Sequence, residues 1–154
     1  MLPSMRRVVT LLTLLLVVAM AVAAVSGCAH GPTGRAARSS ALLQTAQTFS
    51  EALRWQRYRT CGRLVAPEII DSFQARIVDE AETLQITDGE VLAVDWPEDS
   101  EAATVRVRFR WTQLPSIVER TVTVEQRWED RTNRGWTLAK METPGHPNTP
   151  FEVL

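Results

Sequence analysis

The chain has 154 residues, with 17 basic and 18 acidic side chains and a formal net charge of −1. This length allows one domain with its own hydrophobic core, but not two. The near-neutral charge gives no basis for bulk electrostatic binding of nucleic acid, so that class of protein is excluded.

The first 27 residues have the pattern of an export signal. Arg6-Arg7 forms a short cationic region, and the run from 8 to 25 carries no charged residue. It ends in Val25-Ser26-Gly27-Cys28, which resembles the lipobox of bacterial prolipoproteins, an aliphatic and two small residues before an obligatory cysteine. The resemblance implies cleavage between Gly27 and Cys28 and a diacylglyceryl group on the Cys28 thiol.

Two alternatives to a lipoprotein signal remain open. The charge-free run is near the lower limit of about 17 to 25 residues for a spanning helix, so it could be an uncleaved membrane anchor. Export by the twin-arginine route is the second, although the surroundings of Arg6-Arg7 lack the rest of that motif. The small-small-Cys ending has no structural purpose in a plain anchor, so it favours the lipoprotein.

Lipid on Cys28 has consequences for location and stability. Two or three acyl chains would make attachment to the membrane effectively permanent. Ala29 is not the aspartate that retains lipoproteins in the inner membrane of enteric bacteria, so we expect the cell envelope, and the periplasmic face of the outer membrane in a diderm host. Cys61 would have no intrachain disulfide partner, so stability must come from packing.

A flexible tether and two helices are predicted next. Residues 28–39 are rich in glycine and small side chains, which is typical of a tether. A domain over residues 40–143 then begins with a helix at about 40–59, because apolar residues recur there at helical spacing: Leu42, Ala46, Phe49 and Leu53. Pro67-Glu68 suits the first turn of a second helix. The buried stripe expected on that helix consists of Ile70, Phe73, Ile77, Ala81 and Leu84.

After residue 84 the apolar period changes to two, which predicts strands. They are expected at about 90–96, 102–112 and 117–129, with a fourth beginning at Gly135 after a polar turn. The clearest is the second, where Val105, Val107, Phe109 and Trp111 alternate with polar residues. Residues 144–154 contain three prolines and predict an extended Pro-rich tail with an apolar end.

This order of elements predicts an α+β fold, with two N-terminal helices packed on a curved, cone-like antiparallel sheet of three to four strands. The order, the helix F-S-E-A-L-R-W and the hairpin R-W-E-D-R-T-N-R-G-W-T-L resemble the nuclear transport factor 2-like (cystatin-like) superfamily over roughly residues 40–143. Its members include ketosteroid isomerases, limonene epoxide hydrolases, SnoaL-like cyclases and many small envelope lipoproteins of unassigned role. The resemblance implies a shape more than an activity.

No catalytic residue, cofactor or metal site is predicted. Enzymes of that superfamily hold acids and a tyrosine in the cavity between helices and sheet, for which Tyr58, Asp95 and Asp71 are the candidates here. Solvated surface residues are the favoured interpretation of all three. The histidines, His30 and His146, fall in the tether and the tail, away from any cluster. Cys61 has no histidine nearby in sequence and is expected to be a small core residue.

Four further residues are candidates for contacts with a ligand or partner. Arg106, Arg108 and Arg110 share one strand face and could hold a phosphate or carboxylate, although cross-strand pairing with Glu119, Glu125 and Glu129 is the favoured interpretation. Trp55 falls off the apolar stripe of the first helix. An exposed aromatic residue on a tethered domain indicates a partner surface, as does the apolar end of the tail.

The sequence therefore favours an envelope lipoprotein whose small domain binds a partner protein, or an apolar ligand in its cavity. An isomerase- or hydratase-type enzyme is one alternative, and a structural envelope spacer is another. A carboxylate buried beside Tyr58 would favour the enzyme, and a cavity filled by tryptophan and leucine would favour the binding module. A spacer would have neither a pocket nor an adhesive surface.

Overall fold

The computed structural model describes residues 34–98, 100–146 and 149–153. The export signal, Cys28 and the tether up to residue 33 lie outside these residues, so what the sequence predicts for them stays a prediction. The chain divides into two compact units, Met1–Arg38 and Ser39–Leu154; of the first, only residues 34–38 are described, as a turn and the first residues of a helix. No described helix is both long and apolar enough to cross a membrane.

Three helical segments precede the sheet in the described part of the chain. Helix α1 spans Arg35–Arg54 and α2 spans Tyr58–Leu64. The third contains one α-helical turn, α3 (Ile70–Phe73), between a 3-10 turn at Pro67–Ile69 and a π-helical turn at Gln74–Val78. The predicted apolar stripe of the first helix is confirmed, because all four of its members are buried: Leu42, Ala46, Phe49 and Leu53.

The boundaries of the first predicted helix were wrong at both ends. Helix α1 begins at Arg35, because Arg35-Ala36-Ala37-Arg38 consists of strong helix formers that the small-residue composition disguised as tether. At its C-terminal end the helix stops at Arg54, not near 59. Gln56 has a left-handed φ of 52°, and the N–H of Arg57 donates to the carbonyl of Ala52 at 2.7 Å, which closes the helix before α2 begins.

The predicted second helix also ends earlier than expected. Leu84 is not on its buried stripe but is the first residue of a strand, and Ala81 lies in a turn. Leu84 lies seven residues after Ile77, a spacing that keeps two side chains on one face of a helix. A leucine at this position can equally be the first inward-facing residue of a strand. Spacing alone therefore could not separate the two, and the turn before Leu84 decides between them.

The sheet has four strands in the described residues: β1 (Leu84–Asp95), β2 (Ala102–Gln113), β3 (Ser116–Arg131) and β4 (Gly135–Glu142). They form an open antiparallel meander in the order β1-β2-β3-β4, so each strand pairs with its neighbour in sequence. The α+β class and the four-stranded antiparallel sheet are thereby confirmed. Strand β1 begins at Leu84 instead of near residue 90.

One face of the sheet, the inner face, forms the core. In β2 the predicted alternation is confirmed, since Val105, Val107, Phe109 and Trp111 are all buried. The ring of Phe49 from α1 packs edge-on against Trp128 at a centroid distance of 5.7 Å. A Cβ atom at Gly89 would lie 2.8 Å from Phe109 Cε1 and 3.2 Å from Ser50 Cβ, so glycine allows the close approach of α1 to β1.

Residues 149–153, part of the predicted extended Pro-rich tail, pack against the sheet. Pro150, Phe151 and Val153 are buried, and Val153 exchanges two backbone hydrogen bonds with Met141, at 2.9 and 3.0 Å. The expectation that this apolar end belongs to a partner surface is therefore wrong for Phe151 and Val153. Neither the three prolines nor the spacing of apolar residues in this segment predicts its contact with β4; Leu154 lies outside the described residues.

Candidate functional site

The predicted contact residues lie on different elements. Trp55 follows the end of α1 and is 62% exposed, with the guanidinium of Arg54 5.2 Å from its ring centroid. Tyr58 is half-buried at the start of α2, and Asp95 is exposed at the end of β1. The exposure predicted for Trp55 is confirmed.

A carboxylate buried beside Tyr58 would favour the enzyme alternative. Among the described residues, those that are polar and buried are Ser50, Gln126, Thr137 and Thr143, none of which is a carboxylate. Burial, with a smaller contribution from the neighbouring Cys61, raises the pKa of the Tyr58 hydroxyl. No group of three or more His, Cys, Asp and Glu residues within the described ranges could hold a metal ion.

The arginine row lies on the outer face of β2, where it is largely occupied by ion pairs. Arg108 pairs with Glu90, and Arg110 binds Asp88 at 2.8 Å. The hydrogen bond from Arg110 holds the pKa of the Asp88 carboxyl below its usual range, since it stabilises the charged form. Both arginines are thus paired across strands, but with acids of β1 and not mainly with the predicted acids of β3.

The acids predicted as partners on β3 behave differently from one another. Glu119 lies 3.9 Å from Arg110. Glu125 is opposite Arg106 in register, yet no ion pair joins them within the described structure. Glu129 instead pairs with Arg131 at 3.0 Å. The sequence analysis missed Asp88 because it placed the beginning of β1 near residue 90, and it missed Glu90 because it considered only β3 as the source of partners.

Arg131 lies at the opposite end of β3 from Glu119 and connects the sheet to the helical layer. One of its nitrogens donates to both carboxylate oxygens of Glu68, each at 2.9 Å. The hydrogen bond lowers the pKa of Glu68.

Beside the pair of Arg131 and Glu68 is an open depression of about 420 Å³, lined in part by Arg127 and Glu129, which lie 3.6 Å apart. A smaller depression of about 190 Å³ adjoins it and includes Asp95. Arg127, Glu129, Arg131 and Glu68 are therefore paired with one another at the rim of the larger depression.

Part of the inner face of the sheet is covered by Phe151, which belongs to the C-terminal segment. The ring of Phe151 stacks on Phe109 with centroids 5.0 Å apart and planes inclined by 3°, and it meets Trp111 edge-on at 5.9 Å. Two buried donors on this face, Trp111 Nε1 and Gln126 Nε2, have no hydrogen-bond partner among the described residues. Phe151 thus occupies part of the inner face of the sheet.

The β2–β3 hairpin ends in exposed aliphatic side chains that form what we call the hairpin tip: Leu114, Ile117 and Val118. Their exposed fractions are 47%, 87% and 64%. The peptide bond between Leu114 and Pro115 is cis, and the N–H of Leu114 donates to the carbonyl of Thr83 at 2.9 Å. This contact fixes the turn against the segment that precedes β1.

Sequence reasoning did not single out the hairpin tip, although a signal was present. Ile117 and Val118 are adjacent, and an alternating strand turns adjacent side chains to opposite faces, so at most one could face the core. In the fold both are exposed. The sequence prediction counted them only as the start of β3.

No protein-family model matches the sequence, and no curated protein matches it. Among solved structures, the chain is similar to a SEC-C motif containing protein from Rhodopseudomonas palustris, whose solution structure aligns with a TM-score of 0.49 and 15% sequence identity. The alignment covers 60% of this chain and 70% of that one. A likeness of this extent carries no argument about function, and the relation to the nuclear transport factor 2-like superfamily stays a prediction.

Proposed function

We propose that the protein is an envelope lipoprotein whose small α+β domain binds a partner protein through the hairpin tip. The sequence supports the anchor: paired arginines, a charge-free run and then Val25-Ser26-Gly27-Cys28. Since α1 begins at Arg35, the six residues between it and Cys28 reach at most about 20 Å when fully extended. A lipid on Cys28 would therefore keep the start of α1 close to the membrane surface.

The observation that carries the binding proposal is the exposure of three aliphatic side chains at one hairpin tip. Scattered exposed apolar residues are common, but three such side chains at one hairpin turn concentrate apolar surface in a way that is typical of an interaction site. Polar residues follow directly, as at the rim of an interface. Of these, Arg120 lies over the ring of Trp111 at 5.3 Å, so its position relative to the tip is defined by packing.

The shape of the tip favours a protein over a small ligand as the partner. Small molecules bind in concave pockets that enclose most of their surface, whereas Ile117 projects with 87% of its surface exposed. Such a side chain is buried only when another surface surrounds it. We therefore expect a partner with an apolar groove that accepts the tip. A structural spacer would not require such a surface.

Site-specific photo-crosslinking in the native envelope tests this proposal. A photoreactive amino acid in place of Ile117 is expected to give one discrete protein adduct after irradiation. The matched control is Thr121, an exposed residue further along β3, where no adduct is expected. Adducts with lipid alone at position 117 would mean that the tip contacts the bilayer, and would contradict a protein partner. Equal protein adducts at both positions would contradict a role for the tip.

A further inference from the structure

Residues 149–153, which we call the strap, cross the inner face of the sheet. Phe151 is fully buried there, with its ring parallel to Phe109 and perpendicular to Trp111. The two sheet residues thus form two walls of a slot that fits one flat ring. The strap supplies that ring from within the chain.

The strap is attached to the sheet by few polar contacts. It pairs with the edge of β4 through a single bridge, between Val153 and Met141, and not through a ladder. The second attachment is Glu152, whose carboxylate accepts a hydrogen bond from the backbone N–H of Thr143 at 2.6 Å and also contacts the Thr143 hydroxyl. The third is Thr149, whose hydroxyl lies 3.0 Å from that of Thr143. Release of the strap requires the loss of these contacts and of the burial of its apolar side chains.

One of the two residues that form the slot carries a buried polar group without a partner. Trp111 is 4% exposed, and its Nε1–H has no acceptor among the described residues. A buried donor without a partner is costly, and a phenyl ring offers it no oxygen. A molecule that combined a flat ring with an acceptor would keep the stacking on Phe109 and would also satisfy this donor.

We propose that this slot is a binding site for a flat aromatic molecule that carries a hydrogen-bond acceptor oxygen, and that such a molecule binds by displacing Phe151. The ring stacks on Phe109, and the oxygen accepts from Trp111 Nε1–H. This additional hydrogen bond is the differential interaction that a ligand needs to favour the open state over the strapped one. The site is independent of the hairpin tip and of the lipid anchor.

Competition with the strap predicts how affinity should change in variants. The observed dissociation constant exceeds the intrinsic one by the reciprocal of the open fraction. Glu152→Gln weakens the attachment to Thr143 but leaves every slot residue in place, so it should raise the open fraction and tighten binding. Glu142→Gln is the matched control, because Glu142 lies on β4 and pairs with Lys140.

The experiment uses the full chain in phosphatidylcholine nanodiscs, with 4-fluorophenylalanine in place of Phe151. The probe is 2-acetylnaphthalene, which has a flat ring system and one ketone oxygen, and empty nanodiscs provide the background. We expect the probe to move the fluorine resonance from a buried to a solvent-exposed position. The midpoint should fall several-fold in Glu152→Gln and stay unchanged in Glu142→Gln.

A second comparison isolates the hydrogen bond. 2-Ethylnaphthalene has a similar shape but no oxygen, and it should bind several-fold more weakly than the ketone. Trp111→Phe removes the donor and keeps an aromatic ring, so it should abolish that preference. The proposal is overturned if the resonance stays buried up to the solubility limit of the probe, if Glu152→Gln leaves the midpoint unchanged, or if the preference persists in Trp111→Phe.

Discussion

The thiol of Cys61 is fully buried, with the backbone carbonyl of Phe49 4.0 Å from its sulfur. Burial raises its pKa from about 9 to about 12, because the thiolate would lose its hydration. It is therefore protonated at neutral pH and is not an activated nucleophile, which agrees with the core position predicted for it.

This pKa shift has measurable consequences. We expect Cys61 of the folded protein to resist iodoacetamide at pH 8 and to react once urea has unfolded the chain. The pKa of the Cys61 thiol is higher in the folded protein than in the unfolded chain. The contribution of the protonated thiol to the free energy of unfolding is therefore complete below about pH 9 and is lost as the pH rises towards 12. Peptide mass spectrometry and urea titrations measure both effects, with Cys61→Ala as control. Rapid alkylation of the native protein would contradict burial of the thiol.

A substitution at Gly89 tests the contact between α1 and β1. In Gly89→Ala the new methyl group would meet the ring of Phe109 and the Cβ of Ser50, so the packing must shift. We expect a loss of about 1–3 kcal/mol in the free energy of unfolding, measured with urea. Gly62→Ala is the control, because its nearest neighbour would be Ile70 Cδ1 at an ordinary 3.8 Å. Equal stability of the two variants would rule out the tight contact at Gly89.

At the scale of elements, the bounds of β2 and β3 were predicted more accurately than the ends of the helices. Strand β2 is buried at every second residue, so the sequence carries its period directly. The break at Gln56 and the π-helical turn at Gln74–Val78 leave no comparable pattern, because local hydrogen bonds and tertiary packing determine where such irregularities occur. For the ion pairs on the outer face of the sheet, the sequence analysis identified the arginines but not their partners on β1.

Strand β3 offers a matched test of its exposed and buried parts. Val118 is 64% exposed in the hairpin tip, whereas Val124 is fully buried in the core. We expect Val118→Ser to change the free energy of unfolding by less than about 0.5 kcal/mol. Val124→Ser removes apolar contacts and buries a hydroxyl, and should cost about 2 kcal/mol or more. Similar losses in both variants would mean that the tip is part of the core and would remove the basis for a binding surface.

The outer face of the sheet provides a pH-dependent test. Because Arg110 lowers the pKa of Asp88, the pair stabilises the fold above the ordinary carboxyl pKa, and this contribution is lost as the pH falls through the lowered value. In Arg110→Gln we expect the carboxyl resonance of Asp88 to titrate at a higher pH than in the unmodified protein. Arg106→Gln, on the same strand face, should leave that titration unchanged. An unaltered Asp88 titration in Arg110→Gln would exclude the pair.

For the whole molecule, the sequence predicted the class of fold but not how its inner face is completed. Phe151 reaches Phe109 across a long separation in sequence, and a segment with three prolines gives no periodic signal of burial. The hairpin tip was missed for a related reason: exposure depends on what surrounds a side chain after folding. Both features depend on which segments meet after folding, and the residue pattern of a single segment does not contain that information. The candidate site was therefore less predictable than the sheet.

The proposed function depends on attachment of the domain to a membrane through Cys28. Mass spectrometry of the N-terminal peptide from native protein tests this most directly. We expect a peptide that begins at residue 28 and carries a diacylglyceryl thioether, with or without an acyl chain on the free amine. An unmodified Cys28, or a peptide that still contains the apolar run before it, would contradict a lipid-anchored binding module.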